Sequence, residues 1–173
     1  MIAIAQLAAF AYGLSIVYLA RPAFIVFAVD QFQIAAAVDL APEELARAKL
    51  PQFRKAPLTG PRFAYAELPR DPKERTEFVL AGVSGKDLEH FPRLYVPYEE
   101  RTAQVLAKAW PLEKARKLEP DAARIVDAYV AQAGLREDDV RYVRLRARKA
   151  WLAVLIDAKT AAVRKMLITE KID

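Results

Sequence analysis

The sequence predicts an α+β protein: an N-terminal apolar helix followed by one soluble domain with a mostly antiparallel sheet and several helices. Three observations predict it. Residues 2–20 run for 19 positions without a charge. Short β-branched and aromatic runs sit at both ends of the remaining chain, while amphipathic patterns fill its middle. The order strands, helices, strands separates α+β from alternating β-α units and asks the first and last strands to share a sheet.

Composition bounds the chemistry. Apolar residues make up 54% and charged residues 28% of 173 positions, which excludes disorder. There is no cysteine and a single histidine, so a disulfide scaffold, thiolate chemistry and a multi-histidine metal centre are ruled out. The formal charge of +5 is a mild basic excess, short of a dedicated nucleic-acid protein.

IAIAQLAAFAYGLSIVYLA (2–20) would span roughly 28 Å as a helix, close to the hydrocarbon thickness of a bilayer. No basic residue precedes it, as a signal peptide would require. A transmembrane helix over 1–20 is therefore expected. Ala5, Ala9 and Gly13 recur at i, i+4 and i+8, a small-residue stripe along which a second helix packs closely.

Residues 21–173 are the size of one domain. AFIVFAV (23–29) and FQIAAAV (32–38) read as strands flanking a turn at Asp30-Gln31. A short helix follows from Asp39 or Pro42, ended by Pro51. RFAYAEL (62–68) alternates, with Phe63, Tyr65 and Glu67 on one face and Ala64, Ala66 and Leu68 on the other. Asp71-Pro72 opens a helix near 72–81, stopped by Gly82 and Gly85. Pro97 begins a helix through Trp110, and LEKARKL (112–118) is a brief amphipathic segment. Pro120-Asp121 opens a helix with Ile125, Val126, Tyr129, Val130 and Ala133 on one face and Gly134 just past its end. RYVRLRARKAW (141–151), WLAVLID (151–157) and AAVRKMLI (161–168) form an antiparallel meander. The two ends meeting in one sheet would bring a sheet edge beside the apolar helix.

Candidate chemistry is sparse. His90, between Glu89 and Phe91, has no second histidine and reads as a surface-loop residue. Asp30, Asp39, Glu67 and Asp157 are carboxylates without a spacing that pairs them, and Asp157 suits the Asp-Ala-Lys-Thr turn. Tyr142, Arg144, Arg146 and Arg148 alternate on one strand face. They read either as a solvated face or as a surface for phosphate, in which arginine forks bind and tyrosine stacks. Tyr95 and Tyr98 are candidate partner-facing aromatics.

The string YLARPAFIVFAVDQF (18–32), through Arg21, Pro22, Phe24, Val26, Phe27, Val29, Asp30 and Phe32, resembles the TfpX/TfpZ family of type IV pilin accessory proteins. Gln31 stands where that family is expected to carry arginine. QLAAFAYGL (6–14) is similar to the family's last membrane span, and YVRLRARKAWLAVLIDAKTAAVRKML (142–167) resembles its closing strands. Ala161 and Ala162 stand where a glycine turn is expected, so a looser turn is predicted there. The resemblance implies an inner-membrane protein whose domain 21–173 lies in the periplasm. It also implies a chaperone-like role toward a major type IV pilin, without catalysis or cofactor. Family members are expected to begin with further membrane helices, which would make this chain an N-terminally truncated form. The alternatives are a membrane-anchored periplasmic enzyme and a membrane-anchored module binding DNA or anionic lipid through the arginine strand.

Overall fold

Pro22–Ala28 forms strand β1, in which every residue from Ala23 to Ala28 is buried. A strand buried on both faces must be covered on both faces, and the computed structural model of the chain shows how. Its description covers residues 2–72, 75, 76, 78, 80 and 87–172. Helix α1 (Ile2–Ala20) feeds directly into β1. The further elements are β2 (Gln31–Ala36), α2 (Pro42–Ala46), β3 (Arg62–Ala66), β4 (Tyr95–Pro97), α3 (Thr102–Lys108), α4 (Leu112–Leu118), α5 (Pro120–Gln132), β5 (Val140–Ala147), β6 (Ala150–Asp157) and β7 (Val163–Lys171).

The seven strands make one sheet in the order β4-β3-β1-β2-β5-β6-β7. The β1–β3 and β2–β5 pairs are parallel and the other four antiparallel. The fold is α+β, and the first and last strands share the sheet as the sequence predicts. The expectation of a sheet edge beside α1 is corrected: β1 lies inside the sheet, because β3 pairs along its outer side. The edges are the three-residue β4 and the nine-residue β7.

Alternation along the strands sorts the core into two sides. On one side Phe24, Val26, Ala28, Ala35, Ala64 and Ala66 pack beneath α2 and the turns around Phe53 and Phe91. Phe24, Phe53 and Tyr95 meet edge to face, with centroids 5.3–5.9 Å apart. The opposite side gathers Phe27, Phe32, Val143, Leu145, Val154 and Ile156 with Tyr98 and Val105. A third cluster, Tyr142, Val140, Ala153 and Leu155 beneath α4 and α5, shares the first side by strand register. The two faces expected of β3 hold: alanines into the first cluster, Phe63 and Tyr65 against the second.

Several boundaries differ from expectation. Tyr98–Arg101 is a 3-10 turn, and Pro97 ends β4 rather than opening the helix, which begins at Thr102. Trp110 lies beyond that helix and exchanges both backbone hydrogen bonds with Tyr142 at 2.8 Å. On α5 the buried face is Ala123, Val126 and Val130; Ile125 turns outward, about 100° from Val126, and Ala133, in line with the stripe, is exposed because it lies past the last helical residue. Gly134 at φ +62 ends α5 as expected. Leu135 N–H bonds to the Val130 carbonyl at 3.0 Å and Gly134 N–H to that of Ala131 at 3.3 Å, a Schellman closure. Arg148-Lys149 is the turn between β5 and β6, so the first two strands of the meander end and begin earlier than 151. Of the helix expected near 72–81, Pro72, Arg75, Thr76, Phe78 and Leu80 are helical. Gly82 and Gly85 lie outside the described residues.

The turn after β6 is tight rather than loose. Asp157 Oδ1 accepts the N–H groups of Lys159 and Thr160, both at 2.8 Å, and Arg164 holds its other oxygen. Ala161, at the position where glycine is expected, adopts φ +58 with its methyl group fully buried. The Arg164 guanidinium, helped by those two amides, holds the Asp157 carboxyl well below the usual carboxylate range.

Candidate functional site

Three places on this framework carry unusual polarity or exposure. The first is the joint between α1 and the sheet. α1 is long and apolar enough to cross a membrane and carries no burial within the structure. Ile4, Leu7, Phe10, Tyr12 and Val17 are each at least 65% exposed. Leaving such side chains in water costs about 1.5–3 kcal/mol apiece, which makes α1 a candidate for an apolar environment. Ala5, Ala9 and Gly13 lie on this exposed helix, and a Cβ added at Gly13 would meet nothing within 4 Å. At its end, the Arg21 guanidinium lies 3.8 Å from the Tyr18 ring centroid. It donates to the Tyr18 carbonyl and, from Nε and Nη2, to the Pro57 carbonyl at 3.2 and 3.1 Å. One cation thus caps the helix C-terminus and ties it to the domain.

The second place is a polar seam where β2 and β5 run parallel. Gln33 pairs with Arg146 there, between the two clusters on that side of the sheet. Arg144 lies 3.3 Å from Glu119 and 4.0 Å from Asp30. Arg146 lies 3.5 Å from Asp87, and Arg148 lies 3.0 Å from Asp39. All three arginines of the alternating strand are therefore met by carboxylates from both flanks, which compete with any anionic ligand. Tyr142 is not on a solvated face. It is 1% exposed, stacks against Trp110 at 5.9 Å and hydrogen-bonds Glu119; burial, then that bond, pushes its phenol up.

His90 borders this seam, half-buried, with Nδ1 3.2 Å from the Asp87 carbonyl oxygen and 3.8 Å from Glu89. Burial pushes the Glu89 carboxyl up. Among the described residues no group of three potential ligands could hold a metal. Asp30, Asp39 and Asp157 are each engaged by arginines, and Glu67 by Arg101 at 3.3 Å; no two of these four face one another as a pair in those contacts.

The aromatics proposed to face a partner are corrected. Tyr95 is fully buried and Tyr98 is 5% exposed. The Tyr95 hydroxyl donates to the Glu89 carbonyl and that of Tyr98 to the Ala161 carbonyl at 2.8 Å. Both rings are core because β4 and the turn after it fold back onto the sheet on opposite sides.

The third place is a basic cleft of about 820 Å³ at the end of β3. Among the described residues Arg47, Lys49, Arg70, Arg93 and Arg101 line it, with Glu67 the one carboxylate of that lining. Arg47 caps the end of α2, Arg93 sits in the 3-10 turn Pro92–Leu94, and Arg101 precedes α3. Arg93 lies against the Phe78 ring at 4.6 Å. Glu44 accepts from Arg47 at 2.9 Å and approaches Arg93 at 3.5 Å. Sequence reasoning missed this cleft. Its cations are spread singly among prolines over more than fifty positions, so neither a charge run nor a period announces them.

The class defined by these features is an α+β domain on an exposed, membrane-length apolar helix. Two curated relatives match it, both from Dichelobacter nodosus. The chain is similar to a fimbrial assembly protein of serogroup E1, 30% identical over 153 residues, and to one of serogroup I, 29% identical over 153 residues. Each alignment covers 87% of this chain and 59% of the relative, so the chain spans about three fifths of the length of the curated proteins it matches. No family model and no solved structure matches.

Proposed function

We propose that this protein is an accessory factor of type IV pilus assembly. In this reading α1 spans the bacterial inner membrane, residues 21–173 lie in the periplasm, and the chain assists the stability or assembly of the major pilin without catalysing a reaction. The observation that carries the reading is the similarity to two fimbrial assembly proteins over 87% of the chain. The apolar, wholly exposed α1, tied to the domain through Arg21 and the Pro57 carbonyl, supports the membrane placement.

A pilin held in the membrane is an apolar helix joined to a periplasmic head, so a helper meets it at two levels. In the bilayer the stripe Ala5-Ala9-Gly13 permits close helix packing, which substitutes for a hydrophobic effect that lipid cannot supply. Outside it, the domain meets the head. The carboxylates facing Arg144, Arg146 and Arg148 favour this reading over a nucleic-acid or lipid module acting through that strand.

The test is photo-crosslinking from α1 in membranes of a piliated cell, comparing wild type with Ala9→Leu plus Gly13→Leu. Pilin capture and surface piliation are expected to fall in the double variant while the domain remains folded by protease resistance. Unchanged capture would move recognition to the periplasmic domain. Normal piliation after deletion of the gene would overturn the reading.

A further inference from the structure

We propose that the basic cleft at the end of β3 is a docking site for an acidic segment of a partner protein, bound through its carboxylates by Lys49, Arg70 and the neighbouring arginines. The proposal rests on the reading of this chain as an assembly factor only for who the partner is; the ligand chemistry stands on the cleft itself.

Five cations from four separate stretches of chain converge on one open cavity. Two of them, Lys49 and Arg70, are exposed and have no ion-pair or hydrogen-bond partner among the described residues. The others already show what they hold. Arg47 and Arg93 share the Glu44 carboxylate, and Arg101 holds Glu67 at 3.3 Å. Those carboxylates fix the three guanidinium groups in the cleft wall, so the carboxylate of an incoming chain falls chiefly to Lys49 and Arg70, and the arginine fork suits a planar carboxylate. Phe78 and Leu94 add apolar wall between the charges, against which the stems or backbone of an extended peptide would lie.

Size and position decide between ligand sources. About 820 Å³ is far more than one inorganic anion needs. A membrane surface is too far away. β3 runs parallel to β1, so Glu67–Arg70 lie beyond the end of β1 opposite α1. The length of β1 alone puts roughly 20 Å between that end and the helix. The screening length at physiological salt is about 8 Å, so lipid headgroup charge is largely lost over that distance.

The experiment uses the full chain in neutral-detergent micelles and a fluorescently labelled octaglutamate peptide, read by anisotropy at low and physiological salt. Binding is expected to weaken with salt and to weaken about tenfold in Lys49→Ala plus Arg70→Ala, two solvent-exposed pairs being removed. Lys159→Ala plus Lys171→Ala, exposed cations elsewhere, should leave it unchanged. Three results would each overturn the proposal: no peptide binding, equal loss in the two double variants, or displacement by inorganic phosphate at concentrations matching the peptide. Binding to phosphatidylglycerol vesicles that depends on Lys49 and Arg70, with the peptide inert, would reassign the cleft to lipid. Because the assay contains no pilin, it separates the two readings: peptide binding without pilin capture in cells keeps the cleft and removes the assembly role.

Discussion

The hydroxyl of Tyr98 joins two distant parts of the sheet, and removing it gives a stringent test of the packing. Tyr98 follows β4 at one edge, and its Oη donates to the carbonyl of Ala161, in the turn that leads into β7 at the other. The bond is buried and 2.8 Å long. Tyr98→Phe keeps the ring against Phe32 and Phe63, each 5.7 Å away between centroids, and removes only the donor. The Ala161 carbonyl is then left without that partner, at a cost of about 1–3 kcal/mol. For a domain of this size each kcal/mol lowers Tm by roughly 2–4 °C, so a fall of about 6 °C is expected. Tyr98→Ala also empties the ring's space and should cost about 3–5 kcal/mol. Urea unfolding of the full chain in neutral detergent, followed by near-ultraviolet circular dichroism, measures both. A phenylalanine variant as stable as wild type would show that water reaches the Ala161 carbonyl and that the two sheet edges do not close over this core.

Further outcomes follow from single residues. Ile156→Asp should abolish folding, because Ile156 on β6 is fully buried and an unpaired carboxylate there costs several kcal/mol; a wild-type melting temperature would refute the core assignment. Val29 carries φ +61 in the two-residue β1–β2 turn, closed by the Asp30 N–H on the Ala28 carbonyl at 2.7 Å. A β-branched residue is strained there, so Val29→Gly should stabilise by about 1 kcal/mol in the same urea assay. At acid pH, the depressed Asp157 carboxyl contributes stability that is present above about pH 4 and lost as pH falls below it; Asp157→Asn should flatten that part of the stability profile. At alkaline pH the phenols of Tyr95, Tyr98 and Tyr142, all raised chiefly by burial, contribute stability up to about pH 10 that is lost above it. Tyr98→Phe should make that loss shallower.

Local signals in the sequence determined the apolar helix, the strands at both ends, the caps at Pro120 and Gly134 and the turn at Asp157. Each follows from residues close together in the chain: an uncharged run, an alternation, a residue with restricted or unusual φ. What only the tertiary structure decided involves residues far apart. β4 is three residues long and has too little pattern to be seen; it exists because β3 offers it an edge. That fold-back buries Tyr95 and Tyr98, which read as ordinary exposed aromatics in isolation. The alternating arginines of β5 looked like a free basic face until the parallel β2–β5 pairing placed them in a seam, opposite Asp30, Asp39, Asp87 and Glu119 from other parts of the chain. The reverse happened at Arg47, Lys49, Arg70, Arg93 and Arg101, scattered cations with no shared period that folding brings around one cleft. Periodicity reports which face of an element is buried; which charges meet across the sheet depends on strand order and register, and those are set by long-range packing.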